Sequence, residues 1–299
     1  MKLRIGTRGS QLALWQANEV ANRLAEKGWR PEIVTIKTTG DKRLDVSLAS
    51  IGGKGLFVKE LEEALRRGEI DLAVHSLKDV PSIIPDDFTL AGFLERADPR
   101  DAWIQLDGRM LAEMKAGAVV GTSAPRRRAQ FRALFPGLKL EEIRGNVDTR
   151  INKLRAGLYD GAVLAAAGLT RLGRAGEITS YFAIDEMTPA AGQGIVAIET
   201  LRSNAKAIDA ANAINHAPTA RAAACERGVL QKFGDQLDCY SAVAVHATFD
   251  DEITIRAFFG ELEGSRCVRV TKRGRSDADV VAAVHDALVT EGAVELVGQ

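Results

Sequence analysis

Four loops gather the side chains able to do chemistry, and arginine recurs through them. Gly6-Thr7-Arg8-Gly9-Ser10 sets a cation and a hydroxyl at a strand-to-helix turn, where Ser10 is placed to cap the helix. Gly52-Gly53-Lys54-Gly55-Leu56-Phe57 puts glycines and a lysine directly before a helix, a setting in which backbone can approach an anion. It lacks the spacing and the Ser/Thr of a Walker P-loop, so nucleotide binding is not read from it; a hinge or lid fits as well as a ligand contact. His75-Ser76-Leu77-Lys78-Asp79-Val80-Pro81 follows a short apolar stretch and ends at a proline. A carboxylate there can stabilise a cation or relay a proton; the competing reading is a surface Lys–Asp pair of little energetic weight.

The fourth region is the richest. Gly121-Thr122-Ser123-Ala124-Pro125 leads into Arg126-Arg127-Arg128, and Arg144-Gly145-Asn146-Val147-Asp148-Thr149-Arg150 follows. Consecutive cations at a helix amino terminus oppose its dipole, so an anion is expected to offset them unless they simply face water. Arg144 and Arg150 are spaced to flank a second helix start. Cys239 lies between Asp238 and Tyr240 in a loop, and is better placed to react than Cys225 in a helix or Cys267 in a strand. The ordinary role of each cysteine is that of a small buried hydrophobe.

These loops require strands and helices in alternation. Leu3 to Thr7 reads as a strand, Ser10 to Lys27 as a helix, Glu32 to Thr38 as a strand, Leu56 to Arg67 as a helix and Ile70 to Val74 as a strand. A second unit repeats the rhythm, with strands at 102–105, 119–122, 140–143 and 162–165 and helices from Pro125 and from Val147 to Ala156. The tail changes to a helix over 220–233, antiparallel strands around Asp250-Asp251, a strand at 267–271 and a helix over 277–290. The expected fold is α/β, with two periplasmic-binding-protein-like lobes built on largely parallel sheets, plus a small C-terminal α+β domain. The expected boundaries are 1–95 with 194–216, then 100–189, then 219–299. Such a pair of lobes would hold a ligand in the cleft between them.

Lys+Arg and Asp+Glu number 40 each, so no global field draws nucleic acid or an anionic membrane, and any anion site must come from local clustering. The amino terminus is too polar for a signal peptide and no apolar run could span a bilayer, so a cytoplasmic place without membrane attachment is expected. Three widely spaced cysteines form neither a disulfide framework nor a zinc pattern, and no metal is expected.

Taken in order, the motifs closely resemble porphobilinogen deaminase, a family also called hydroxymethylbilane synthase. The resemblance rests on Thr7-Arg8 with Ser10 and Leu12-Ala13-Leu14-Trp15-Gln16, and on Gly52 to Glu62. It continues through His75 to Pro81, Gly121 to Arg127, Arg144 to Val147 with Arg150, and Gly192-Gln193-Gly194. It covers nearly the whole chain. The resemblance implies a transferase of tetrapyrrole (haem) biosynthesis that joins four porphobilinogen molecules head to tail and releases ammonia at each step. It implies a dipyrromethane cofactor held by a thioether to Cys239, with Ser76, Lys78, Asp79, Thr122, Arg126, Arg127, Arg144, Arg150 and Gln193 around it. Asp79, with Arg8 and Lys78, would carry the chemistry, Asp79 stabilising the cationic azafulvene left by ammonia. Arg8, Ser10, Lys54, Phe57, Arg144 and Arg150 would hold the carboxylate-bearing substrate and the growing polypyrrole chain. A monomer, and hand-over of the product to a downstream synthase, are also implied.

The sequence departs from the family's pattern at three places. Leu237-Asp238 stand where two glycines usually precede the cysteine, and Asp238 disfavours a neighbouring thiolate. The stretch from Glu226 to Cys239 is about two residues longer than is common. Ala124-Pro125 replaces a hydroxyl residue and a leucine, which removes one cofactor hydrogen bond. Two other readings therefore stand beside the deaminase: a family member impaired by its cysteine loop, and a two-lobed anion-binding protein without catalysis.

Overall fold

The computed structural model describes residues 2–37, 58–237 and 241–297. Two compact units divide the chain: residues 1–97 with 194–224, and residues 98–193 with 225–299.

The first unit opens with β1 (Lys2–Thr7), whose Leu3 and Ile5 are buried. Helix α1 (Gln11–Glu26) starts where the Ser10 hydroxyl accepts a hydrogen bond from the Ala13 N–H, and Gly28 at φ 83° lets the chain leave it. Its Gln16, Ala17, Val20 and Leu24 form the buried stripe. Strand β2 (Arg30–Thr35), helix α2 (Lys59–Arg66), β3 (Leu72–Ser76) and β4 (Phe88–Phe93) follow.

The second unit begins with β5 (Asp101–Ile104) and continues through β6 (Val119–Gly121), α3 (Pro125–Leu134), β7 (Lys139–Glu141), α4 (Val147–Arg155), β8 (Gly161–Ala165), α5 (Ala166–Arg171) and β9 (Ser180–Tyr181). Trp103 lies wholly buried on β5, and a Cβ at Gly161 on the neighbouring β8 would meet its ring at 2.0 Å. Glycine there is what admits the indole. The chain then supplies β10 (Val196–Leu201) and α6 (Ala205–Ala213) to the first unit. Helix α7 (Ala217–Phe233) contains the division at 224 and leads to β11 (Ala242–Phe249), β12 (Ile253–Gly260), β13 (Cys267–Gly274), α8 (Asp277–Thr290) and α9 (Ala293–Val297).

The first sheet has the order β2-β1-β3-β10-β4 and the second β7-β6-β8-β5-β9. They share a pattern. Three strands are parallel, the fourth runs antiparallel, and the edge strand is antiparallel to the fourth. The expected largely parallel sheets are thus each interrupted by one reversed strand. In both cases it is the strand that follows a crossover: Val196 of β10 pairs with Ser76 at the carboxyl end of β3, and Asp101 of β5 with Ala165 at the carboxyl end of β8. A chain arriving at that edge can only run back across the sheet.

The third sheet is the antiparallel meander β11-β12-β13. Val280, Val284 and Leu288 of α8, spaced four apart, share a core with Val245, Ile255 and Phe259. Elsewhere in this unit Ala242, Ala244 and Phe258 pack with Ala129 of α3, which explains why the tail groups with the second lobe.

Candidate active site

In the first unit the polar residues of two loops meet at the carboxyl ends of β1 and β3, the edge where open α/β sheets place ligands. Thr7 is fully buried, and its hydroxyl donates to the Ala13 carbonyl at 3.1 Å, drawing the start of α1 onto the strand end. Arg8 and Ser10 are carried on that turn. From α1, buried Gln16 donates through Nε2 to the Ser76 hydroxyl at 2.8 Å. Beyond Ser76 the chain makes a single 3-10 turn over Leu77–Asp79. Leu77 and Val80 are buried with Ile195, Ala197 and Ala223, and the Leu77 N–H donates to the Ile195 carbonyl. The turn is therefore pinned at both ends by apolar anchors, and the residues between them, Lys78 and Asp79, are exposed. A pocket of about 70 Å³ is lined by Arg8, Ser10, Gln16, His75, Ser76 and Asp79. A larger hollow of about 590 Å³ at Lys2, Arg30 and Glu32 lies at the opposite, amino ends of β1 and β2 and holds an exposed Lys2–Glu32 ion pair. The side chains able to do chemistry line the smaller pocket.

In the second unit β6 runs into Thr122, Ser123 and Ala124 before α3. The Thr122 hydroxyl is buried with no hydrogen-bond partner among the described residues, while the Ser123 hydroxyl donates to the Ile143 carbonyl. Ala124 occupies the helix N-cap without a side-chain bond. Arg126 and Arg127 fold back into the lobe, only about 5% exposed. Arg126 donates through both Nη atoms to the Asp101 carboxylate at 2.6 and 3.1 Å, and also to the Thr188 carbonyl and Gln193 Oε1. Arg127 donates to Asp101 through Nε and Nη2, and to the Val163 carbonyl. Gln193 Nε2 completes the cluster by donating to Asp101 and to the Pro99 carbonyl. Burial alone would raise the Asp101 carboxyl, but the charges and hydrogen bonds of Arg126 and Arg127 outweigh it and hold it far below the usual carboxylate range. An anion beside these arginines is thus supplied by Asp101, inside the protein.

Arg144 and Arg150 do flank a helix start. Asn146 caps α4 by accepting from the Thr149 N–H at 2.9 Å, Arg150 Nε donates to the Gly145 carbonyl, and Arg144 Nη2 donates to Glu142 Oε1 at 2.6 Å. Both side chains are half-buried, Arg144 on the loop and Arg150 on α4. Lys54, Phe57 and Cys239 lie outside the described residues. Leu237, in place of one of the family's glycines, is buried in the core of the third sheet with Phe233 and Val245. Sequence reasoning missed Asp101, Gln16 and Glu199. A signal existed for Asp101: a carboxylate opening a strand buried at every position must be paired.

The geometry defines an α/β protein with an exposed aspartate on a pinned turn, and with arginines and a buried hydroxyl, unpartnered among the described residues, at the carboxyl edges of two similar sheets. The family model described as "Porphobilinogen deaminase, dipyromethane cofactor binding domain" matches residues 3–209. The chain is 44% identical to the porphobilinogen deaminase of Geobacter sulfurreducens over all of this chain and 94% of that protein. It is 47% identical to that of Trichlorobacter lovleyi over 94% of this chain and 89% of its relative. A solute-binding protein of Desulfovibrio salexigens superposes with a TM-score of 0.46 at 10% identity, covering 72% of each chain, a likeness too distant to bear on function. The chain belongs to the porphobilinogen deaminase family. No helix among the described residues is long and apolar enough to cross a membrane.

Proposed function

We propose that this protein is a hydroxymethylbilane synthase, a transferase condensing four porphobilinogen molecules head to tail into a linear tetrapyrrole with loss of ammonia. The observation that carries this reading is the Asp79 turn. A carboxylate held exposed between two buried anchors is presented to a ligand without conformational search. Asp79 accepts hydrogen bonds from pyrrole N–H groups and stabilises the cation formed as the substrate loses ammonia. Lys78 beside it and Arg8 across the pocket orient the substrate through its acetate and propionate groups, as do Arg144 and Arg150 on the second lobe. Ser10 and Ser76 offer hydroxyls, though Ser10 also caps α1 and Ser76 accepts from Gln16.

The family's dipyrromethane suits the donor set. The buried Thr122 hydroxyl has no hydrogen-bond partner among the described residues, and half-buried Arg144 and Arg150 can meet carboxylates. Thr122, Ser76, Lys78, Asp79, Arg144 and Arg150 would hold it, and when bound it supplies the primer from which the chain grows. Arg126, Arg127 and Gln193 act behind them, fixing α3 and the Thr122 loop through Asp101. Cys239 is the proposed point of thioether attachment, and Lys54 and Phe57 the proposed substrate contacts from their loop. A three-domain organisation, a cytoplasmic monomer and transfer of the product to a downstream synthase complete the reading.

Purified protein incubated with porphobilinogen should release ammonia and form a tetrapyrrole, and its intact mass should exceed the chain mass by a dipyrromethane that Cys239→Ser lacks. Binding without ammonia release would restore the anion-binding alternative. An active protein without the added mass would refute the attachment.

A further inference from the structure

The first lobe holds a second group of titratable side chains that the reading above leaves unused. His75 precedes Ser76 on β3 and lines the same pocket as Asp79. Its Nε2 lies 2.9 Å from Oε2 of Glu199 on β10, with both side chains buried. In the strand register His75 faces Ala197, so Glu199, two residues further on, is its diagonal neighbour on one face of the sheet. The other oxygen of Glu199 is buried without a hydrogen-bond partner among the described residues. A half-satisfied buried carboxylate works against stability, so its placement calls for another explanation.

Helix α2 packs over this face with Leu61, Ala64 and Leu65, and carries Glu62 in its first turn. Burial, reinforced by the charge of Glu199, pushes the Glu62 carboxyl up to about 7; Arg66 and His75 oppose the rise and Asp87 adds to it. Arg66 is itself engaged by Asp87 through two hydrogen bonds. The charged and titratable groups around the cluster are therefore Glu62 and Arg66 from α2, Asp87 before β4, Glu199 from β10, and Arg8 and Asp79 from the pocket.

We propose that His75 is a positioning residue for the Asp79 turn, held in place by Glu199 and lying in the field of the Glu62 side chain. The proposal rests on the condensation reaction assigned above. The His75–Glu199 bond crosses from β3 to β10 close to the Leu77–Ile195 hydrogen bond, so the two together tie the base of the turn to the neighbouring strand. Ionisation of Glu62 places a negative charge near the His75–Glu199 pair and alters the field across their hydrogen bond.

The test uses Glu199→Gln and Glu62→Gln in the full-length enzyme, with kcat and KM for porphobilinogen measured from about pH 5 to pH 9. Glu199→Gln should lower kcat about tenfold or more with KM changed less than about threefold, the signature of a misplaced reacting group. Both variants should shift the near-neutral limb of the kcat profile by about half a pH unit or more. A merely structural role would lower the thermal midpoint and leave the limb where it is in wild type, which overturns the proposal. Independently of turnover, the His75 imidazole, assigned by its loss in His75→Gln, should change its NMR titration midpoint in Glu62→Gln. An unmoved midpoint also overturns the proposal. Should Glu199→Gln fail to fold, Glu62→Gln alone carries both measurements. A wild-type protein that releases no ammonia refutes the assigned reaction, while the imidazole titration still decides the coupling.

Discussion

Asp79 and Asp101 both stand at the ligand edge of a five-stranded sheet, yet they serve opposite ends. Asp79 follows β3, exposed on a turn whose flanks are buried. Asp101 opens β5 with no exposed surface and receives both Arg126 and Arg127. The first is a carboxylate kept available, the second one saturated by its own chain. Burial separates them, and with it the meaning of the nearby arginines. A buried pair is a scaffold whose disruption strands a charge, whereas an exposed group stabilises little by itself and can be spent on a ligand.

That contrast can be broken by exchange of charge for neutral isostere. Asp79→Asn should lower kcat by about a thousandfold while the unfolding free energy moves by less than about 0.5 kcal/mol; a large fall in thermal midpoint with normal turnover would erase the distinction. Asp101→Asn should cost about 3–5 kcal/mol in denaturant unfolding, because two buried guanidinium groups lose their counter-charge. The sign of its pH dependence follows from the lowered Asp101 carboxyl. Its contribution is present above the ordinary aspartate range of about 3.9 and is lost as pH falls through the lower folded value, so wild type and variant should converge only in strong acid. Arg144→Leu should raise KM for porphobilinogen about tenfold with little change in stability, by loss of a charged hydrogen bond made to the ligand. Arg126→Leu should do the reverse, and equal KM effects in the two would return Arg126 to the ligand. The smallest effect is expected at Ala124, whose N-cap position lacks a side-chain bond: Ala124→Ser should stabilise by about 0.5–1 kcal/mol, read as a raised thermal midpoint.

Much of this was legible in the sequence. Helix Asp277–Thr290 and the Ser10 cap follow from local spacing and capping chemistry, and their ends agree with expectation. Strand β4 escaped notice because Phe-Thr-Leu-Ala-Gly-Phe neither alternates nor forms a continuous apolar run, and β9 is two residues long. The reversal of β10 and β5 is a property of the crossovers, which local periodicity does not encode. The Asp79 turn could be read because its polar run follows a strand directly. The Arg126–Asp101 pair could not, since its partners are 25 residues apart and meet only in the folded lobe. Arg126 and Arg144 look alike in a list of residues; only their depth tells them apart.

The insertion of β10 between β3 and β4 also bears on how the protein is made. All five strands of the second sheet lie within residues 98–193, whereas the first sheet, begun at Lys2, waits for Val196–Leu201 to fill the place between β3 and β4. At ribosomal rates of about 5–20 residues per second, β3 and β4 spend roughly 5–20 s without their shared partner. During that time their facing edges offer unpaired N–H and C=O groups to any other strand. Of the two five-stranded sheets, the one that carries Asp79 is begun first and completed last. Gly194 stands at the point of return, at φ 84° with Ala97 O only 2.5 Å from where a Cβ would sit. A side chain there would hinder the last strand as it enters, so its cost should appear first in the yield of folded protein from translation.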